Sequence, residues 1–209
     1  ASRGAKIIQL SLGTDGPSPE IEQAVARATA RGIYVVASAG NTNSKPTHPA
    51  YTAMLATPTG NMGVGVGSVN INEVKSWFSN FVPSNDPLIE DGLEMVSFGE
   101  DVYAAVPNSQ IAAWDGTSMA APMVAGAIAL AIAEGAEVLS PRTLALEVVE
   151  SSLEIDTDGV VGGTTYSLEQ RLEIGLFLCS ALNLTVPQCQ QAFDDADDIG
   201  EGDGDGDDD

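Results

Sequence analysis

The feature that most constrains the fold is an uncharged, apolar segment, residues 119–133, that directly follows the motif Gly116-Thr117-Ser118. The segment consists mainly of alanine with methionine, isoleucine, leucine and valine, and it is too short to span a membrane as a helix. A helix that is apolar on nearly all sides is buried in the core of a protein. The sequence therefore predicts a central buried helix that begins at a hydroxyl side chain.

Ser118 has two interpretations. Serine is common at helix N-caps, where its oxygen accepts a hydrogen bond from a backbone N–H of the first turn. Serine is also a nucleophile in hydrolases, and the N–H groups and partial positive charge of a helix N-terminus stabilise an oxyanion that forms beside it. The motif by itself leaves both interpretations open.

A strand–helix–strand unit begins the chain. Residues 6–12 form an apolar run that predicts a buried strand. Ser18 is a good N-cap and Pro19 a good first helical residue, so we expect a helix from there to Gly32. The next apolar run, residues 33–37, predicts a second strand parallel to the first. The chain is therefore expected to be an α/β domain with functional residues where these strands end.

Further elements follow the same reasoning. We expect strands at residues 63–69, 75–81 and 95–98, a hairpin of residues 102–106 and 112–114, and helices at 140–152 and 171–182. The glycine-rich strand 63–69 lacks the spacing of a nucleotide-binding loop. The long loop 42–59 contains three prolines, and long loops in compact domains are often functional.

The charge excludes one class of partner. Thirty acidic and eight basic residues give a net charge of −22, whereas nucleic-acid binding needs a basic surface. Residues 194–209 are rich in Asp and Gly and predict a solvated tail or linker. Calcium is a candidate ligand there, although the twelve-residue loop with a terminal glutamate is absent. The spacing of Cys179 and Cys189 permits a local disulfide without requiring one.

Three blocks, residues 7–13, 35–41 and 116–122, resemble the subtilisin-like serine proteases, and the resemblance extends over about residues 5–183. It implies a three-layer sandwich with a parallel sheet, in which the N-terminal strands of the family are missing from this chain. Residues 1–183 are then the C-terminal portion of a catalytic domain, and residues 184–209 are an acidic tail or linker. The family also implies a polypeptide substrate, and we expect the protein to be extracellular or secreted.

The resemblance assigns roles to individual residues. Ser118 corresponds to the nucleophile, and Asn41 corresponds to a side-chain donor of the oxyanion hole that acts with the backbone N–H of Ser118. The residues of the substrate-binding strand would be Ser11, Leu12 and Gly13, and those of the specificity pocket would be Ser38, Ala39, Gly40 and Thr47. Pro49 occupies a position where the family often has a cis-proline. None of these residues is expected to bind a metal.

Several residues depart from the family pattern. The family's catalytic Asp and His precede the first block, and the only histidine here, His48, falls in the pocket loop and is not expected to be the base. Met123 replaces a usual histidine, and Ser97-Phe98-Gly99 replaces a common Ala-Pro-Gly. We therefore expect this chain alone to be inactive and to require the missing N-terminal portion of the same protease.

The sequence supports one main hypothesis and two alternatives. The main hypothesis is a serine endopeptidase that works through an acyl-enzyme. The first alternative is an inactive homologue that binds peptides or serves as a scaffold. The second is another serine hydrolase, but the G-x-S-x-G motif of esterases is absent, and Asn41 after Ala39-Gly40 argues against a carboxyl-type serine peptidase.

Overall fold

The structure is a computed structural model of the 209-residue chain. It describes residues 3–13, 18–44, 63–81 and 95–134, together with four short strands between residues 153 and 171 and the single positions 179, 185 and 187. Thr47, His48 and Pro49, the predicted helix 140–152 and the acidic tail lie outside the described residues.

Ten strands and two helices form the described part of the chain. The strands are β1 (Ile7–Leu10), β2 (Tyr34–Ser38), β3 (Gly63–Val69), β4 (Met95–Phe98), β5 (Val102–Val106), β6 (Gln110–Trp114), β7 (Leu153–Glu154), β8 (Gly159–Val161), β9 (Thr164–Tyr166) and β10 (Gln170–Arg171). The helices are α1 (Pro19–Thr29) and α2 (Thr117–Ala133).

The main sheet has the order β1-β2-β3-β4-β10-β7. Strands β1 to β4 pair in parallel, β10 continues the parallel sheet beside β4, and β7 pairs antiparallel at the edge. Strands β5 and β6 form a separate antiparallel hairpin, and β8 and β9 form another. The prediction of an α/β chain with a parallel sheet is confirmed.

The two helices cover opposite faces of this sheet. Tyr34 and Val36 of β2 belong to a buried cluster with helix α2, whereas Val35, between them, packs with Val25 of helix α1. Successive side chains of a strand point to opposite faces, so β2 contributes to both cores and is buried along its whole length. The result is the three-layer order of helix, sheet and helix that the family resemblance implied.

Helix α1 begins as the sequence predicts. Ser18 has an extended backbone, its Oγ accepts a hydrogen bond from the backbone N–H of Ile21 at 3.4 Å, and Pro19 is the first helical residue. Gly32 follows the helix with a φ of 74°, a conformation that favours glycine. The local signals were sufficient here because both ends of the helix are determined by neighbouring residues.

Other elements differ from the prediction. Residues 75–81 are not a strand, because their buried polar side chains are used in other hydrogen bonds. Ser76 and Ser79 bind Ser68 of strand β3, and Asn80 binds the loop after strand β2. Arg171 belongs to strand β10 and not to a helix, whereas Cys179 is helical. The short strands β7 to β10 were not predicted, since strands of two or three residues carry almost no periodic signal.

Cys179 is disulfide-bonded, and the sequence has one other cysteine, Cys189, which lies outside the described residues. Among the described helices, none has the length and apolarity required to cross a bilayer. The described residues also contain no group of three or more His, Cys, Asp or Glu side chains arranged to hold a metal ion.

Candidate active site

Ser118 is the second residue of helix α2, and its side chain does not cap the helix. The N-cap is Gly116, which has no side chain to make a capping hydrogen bond. The N–H of Ser118 has no acceptor within the helix because of its position in the first turn. The capping interpretation of Ser118 is therefore wrong, and its half-buried hydroxyl needs another explanation.

Asn41 lies beside the start of this helix. Its Oδ1 accepts hydrogen bonds from the backbone N–H of Thr117 at 2.9 Å and from the Thr117 hydroxyl at 2.8 Å. These two donors occupy the oxygen of the amide, so its Nδ2 faces the other way. A β-carbon built on Gly116 would lie 3.3 Å from Nδ2 of Asn41 and 3.5 Å from the backbone nitrogen of Ser118. The Asn41 amide nitrogen and the Ser118 backbone nitrogen therefore lie close to the same point beside Gly116, which the Met119 sulfur also approaches at 3.4 Å.

Gly116 and Gly99 allow the segment after strand β4 and the start of helix α2 to approach each other closely. Gly116 has a φ of 155°, and its N–H donates to the carbonyl oxygen of Gly99 at 2.8 Å. A β-carbon on Gly99 would lie 2.6 Å from the carbonyl oxygen of Gly116 and would also overlap Ser68. The Gly116 carbonyl cannot move away without displacing the start of helix α2, so position 99 has no room for a side chain. At Gly116 the positive φ, and not a clash, favours glycine.

The carbonyl oxygen of Ser118 has an unusual partner. In an α-helix this oxygen accepts a hydrogen bond from the N–H four residues later, but that residue is Pro122, which has no N–H. The hydroxyl of Ser11, at the end of strand β1, donates to this oxygen at 2.7 Å. Gln9 in turn donates from Nε2 to Ser11 Oγ at 2.6 Å. The residue that follows strand β1 therefore binds Ser118 through the Ser118 main-chain carbonyl oxygen.

These features match those of a known family. The model for the subtilase family matches residues 1–172. The chain belongs to the subtilase family. Subtilisin BL from Lederbergia lenta is 37% identical over 129 residues, which is 62% of this chain and 42% of that protein. Thermitase from Thermoactinomyces vulgaris is 32% identical over 173 residues, which is 82% of this chain and 53% of that protein.

A solved structure agrees on the fold. The structure of the patellamide maturation protease PatA superimposes with a TM-score of 0.69, at 24% identity, over 88% of this chain and 65% of that chain. At this identity the likeness concerns the fold alone. This subtilase chain spans about half the length of the relatives described above.

The predicted substrate-binding residues occupy two places in this subtilase. Ser11, Leu12 and Gly13 follow strand β1 at an edge of the described sheet and are exposed, with 51% of Leu12 accessible. Ser38 and Ala39 are buried at the end of β2, and Gly40 is half-buried with a φ of 103°. Both groups lie where the parallel strands end, on the side of the sheet where helix α2 begins.

Two departures from the family pattern contact each other. The hydroxyl of Ser97 donates to the sulfur of Met123 at 3.5 Å, and Met123 packs against the core beneath helix α2. Both substitutions therefore fall on one packing contact between strand β4 and the helix. They are explained by mutual packing and do not by themselves indicate a lost catalytic group.

Sequence reasoning missed three residues that hold the site together. Thr117 donates hydrogen bonds to Asn41, and the Gly99 carbonyl oxygen accepts one from the Gly116 N–H. Asn80 binds the loop that carries Asn41. Thr117 belongs to the Gly116-Thr117-Ser118 motif, so the sequence was sufficient to indicate a role for its hydroxyl. Asn80 had no sequence signal, because its partners lie some 36 to 41 residues away.

Lys75 is a buried cation near this loop. Its Nζ donates to Oδ1 of Asn43 at 2.8 Å and to the carbonyl oxygen of Ser76 at 2.9 Å, and it lies 5.5 Å from the centre of the Phe81 ring. Burial removes water from the ammonium group and lowers the pKa of Lys75 to about 8.

This pKa predicts a pH-dependent contribution to stability. Between about pH 8 and pH 10.5 the unfolded chain binds the Lys75 proton more tightly than the folded chain, so the free energy of unfolding rises with pH in this window. We expect Lys75→Met to remove this rise. The difference in the free energy of unfolding between the native protein and the variant should therefore change by roughly 1–3 kcal/mol across the window. Urea unfolding of both proteins at several pH values measures it, and parallel profiles would contradict the assignment.

Ser11 gives a second prediction. In a full protein that hydrolyses peptides, Ser11→Ala should lower kcat about 10-fold, because a displaced Ser118 hydroxyl loses its alignment. Pro122→Ala restores an N–H that can bind the Ser118 carbonyl oxygen within the helix. The loss caused by Ser11→Ala should therefore be smaller in the Pro122→Ala background. Equal losses in both backgrounds, measured as kcat, would show that Ser11 acts elsewhere.

Proposed function

We propose that this chain supplies the nucleophile and the oxyanion-binding groups of a serine endopeptidase. The observation that carries the proposal is the convergence of Asn41 Nδ2 and the Ser118 backbone nitrogen on one space beside Gly116. Donors that are held in place before charge develops stabilise a tetrahedral oxyanion without reorganisation. Asn41 is neutral, so it adds no competing charge at this position.

The reaction follows from these roles. The Ser118 oxygen attacks the carbonyl carbon of a peptide bond while its proton passes to a histidine base. The resulting oxyanion lies between Asn41 Nδ2 and the Ser118 N–H. Its collapse expels the amine, which takes the proton from the histidine and leaves an acyl-enzyme. Water then attacks the ester, with the histidine again accepting a proton, and releases the acid and the free serine.

The base is not assigned to a residue of this chain. The only histidine of the sequence is His48, in the loop expected to form the specificity pocket. We propose that the catalytic His and Asp come from a part of the protein outside this sequence, and that this chain alone is inactive. A serine hydroxyl without a base is a weak nucleophile.

The substrate is proposed to be an extended polypeptide. Ser11, Leu12 and Gly13 directly follow strand β1 and are exposed, which supports a role in binding an extended peptide alongside this segment. The pocket for the main substrate side chain would be formed by Ser38, Ala39, Gly40 and Thr47. Secretion of the protein stays a prediction from the sequence, and calcium stays a candidate ligand of the acidic tail.

Labelling with a fluorophosphonate tests the proposal. This reagent reacts with activated serines, so we expect the full protein to be labelled at Ser118 and Ser118→Ala to remain unlabelled. The chain alone is expected to remain unlabelled because it lacks the base. A folded full protein that takes up no label, but binds peptides, would instead support the inactive homologue.

A further inference from the structure

The loop that carries Asn41, defined here as residues 39–44, is bound on both sides of Asn41 by the buried side chain of Asn80. Asn80 is 5% exposed, and its Nδ2 donates to the carbonyl oxygen of Ala39 at 3.0 Å. Its Oδ1 accepts from the backbone N–H of Thr42 at 3.0 Å, from the Thr42 hydroxyl at 2.8 Å and from the backbone N–H of Ser44 at 3.3 Å. The Asn80 amide therefore binds the loop on both sides of Asn41.

The main chain of Asn80 adds a further bond. Its backbone N–H donates to the carbonyl oxygen of Gly40 at 2.9 Å. The loop has left the sheet at this point, since the last ladder bond of β2 is from the Ala39 N–H to Val66 at 2.9 Å. The path of the backbone between Gly40 and Ser44 therefore depends on the segment that contains Asn80 and not on strand pairing.

Thr117 holds Asn41 from the opposite side. Its hydroxyl donates to Asn41 Oδ1 and accepts the backbone N–H of Gly40 at 3.1 Å. Thr117 determines how the Asn41 amide is turned, and Asn80 determines where the backbone beneath that amide lies. An amide donor is useful only if both its position and its orientation match the developing oxyanion.

We propose that Asn80 is a positioning residue for the oxyanion donor Asn41. The inference rests on the proposed function and extends it to a residue that contacts neither the nucleophile nor the oxyanion space. The role requires an asparagine, because one side must donate to a carbonyl oxygen and the other must accept from N–H groups. An aspartate at position 80 would keep the acceptor oxygen. Its second oxygen would face the Ala39 carbonyl oxygen and have no proton to donate to it.

A double-mutant cycle in the full protein tests the proposal. We expect Asn80→Ala to lower kcat about 10-fold, part of the effect of losing an oxyanion donor, with little change in KM. In the Asn41→Ala background the same substitution should change kcat less than about 2-fold, since the donor is already absent. A 10-fold loss in both backgrounds would overturn the proposal. Rates are normalised to active sites by burst titration, which removes differences in the folded fraction.

A matched control separates positioning from stability. Thr29 is a buried hydroxyl whose Oγ1 donates to Val25 at 3.2 Å in helix α1, on the opposite face of the sheet from helix α2. Thr29→Val should lower the thermal stability and leave kcat unchanged. If it lowers kcat as much as Asn80→Ala, the effect is one of general stability and the proposal is wrong.

A crystal structure tests the inference without a measurement of activity. In a crystal structure of Asn80→Ala, the Asn41 side chain should be displaced from Thr117, whose N–H lies 2.9 Å from Asn41 Oδ1 in the native chain. An unchanged Asn41 would overturn the positioning role. If the native full protein hydrolyses no peptide, the proposed function fails, and this structure still shows whether Asn80 places Asn41.

Discussion

Ser118→Ala should abolish peptide hydrolysis by the full protein. We expect kcat to fall by about 10⁶, which is the magnitude known for subtilisin itself. The remaining rate comes from the oxyanion-binding groups, which the substitution leaves in place. Helix α2 should form normally, because Ser118 makes no capping bond and alanine favours helices.

Peptide binding distinguishes this result from unfolding. The variant should bind a peptide substrate with an affinity close to that of the native protein, measured by calorimetry, and its unfolding temperature should stay within a few degrees. Hydrolysis that persists in Ser118→Ala, after contaminating proteases are excluded with a separate inhibitor control, would refute Ser118 as the nucleophile. Binding without hydrolysis in the native protein as well would favour the peptide-binding alternative.

Asn41→Ala should lower kcat by about 10² to 10³ and leave KM nearly unchanged. This range, about 2.7–4 kcal/mol of transition-state stabilisation, is again the one known for subtilisin. An oxyanion donor acts on charge that exists only in the transition state, so its loss appears in kcat. The prediction depends on Nδ2 facing the space beside Gly116, which the two bonds from Thr117 to Oδ1 determine.

Asn41→Asp is the sharper variant. Aspartate keeps an oxygen for both Thr117 donors but places its second oxygen where Nδ2 was. A carboxylate repels the oxyanion, so kcat should fall at least as far as in Asn41→Ala although the loop stays bound. Substitution of the exposed Asn72 by alanine, on a loop outside the site, serves as the control and should leave kcat unchanged. Equal activity of Asn41→Asp and the native protein would exclude the donor role.

The sequence predicted most of the described fold. Helix α1 was located by Ser18 and Pro19, strands β1 to β4 by their apolar runs, and helix α2 by its uncharged composition. The errors concern elements without a local pattern. Residues 75–81 read as a strand because they contain large apolar residues, but Ser76, Ser79 and Asn80 between them make buried polar contacts that prevent a regular ladder.

The sequence was also sufficient to select Ser118 and Asn41, because both belong to short motifs that resemble a known family. The sequence did not indicate which residues keep Ser118 and Asn41 in place. Ser11 was predicted to bind substrate, yet its hydroxyl also binds the carbonyl oxygen that Pro122 leaves without a helical donor. The absence of an N–H in proline is visible in the sequence, but the residue that replaces it is not.

The sequence by itself determined helices α1 and α2, strands β1 to β6 and the choice of Ser118 and Asn41 as candidate site residues. These follow from capping, composition and periodicity, which act between residues close in the chain. Only the tertiary structure decided which polar groups meet. Ser11 binds a residue 107 positions away, Thr117 binds one 76 positions away, and Asn80 reaches back 41 positions to Ala39. Such pairs form because packing of the sheet and helix brings distant polar groups together, and those that are buried must then find a partner.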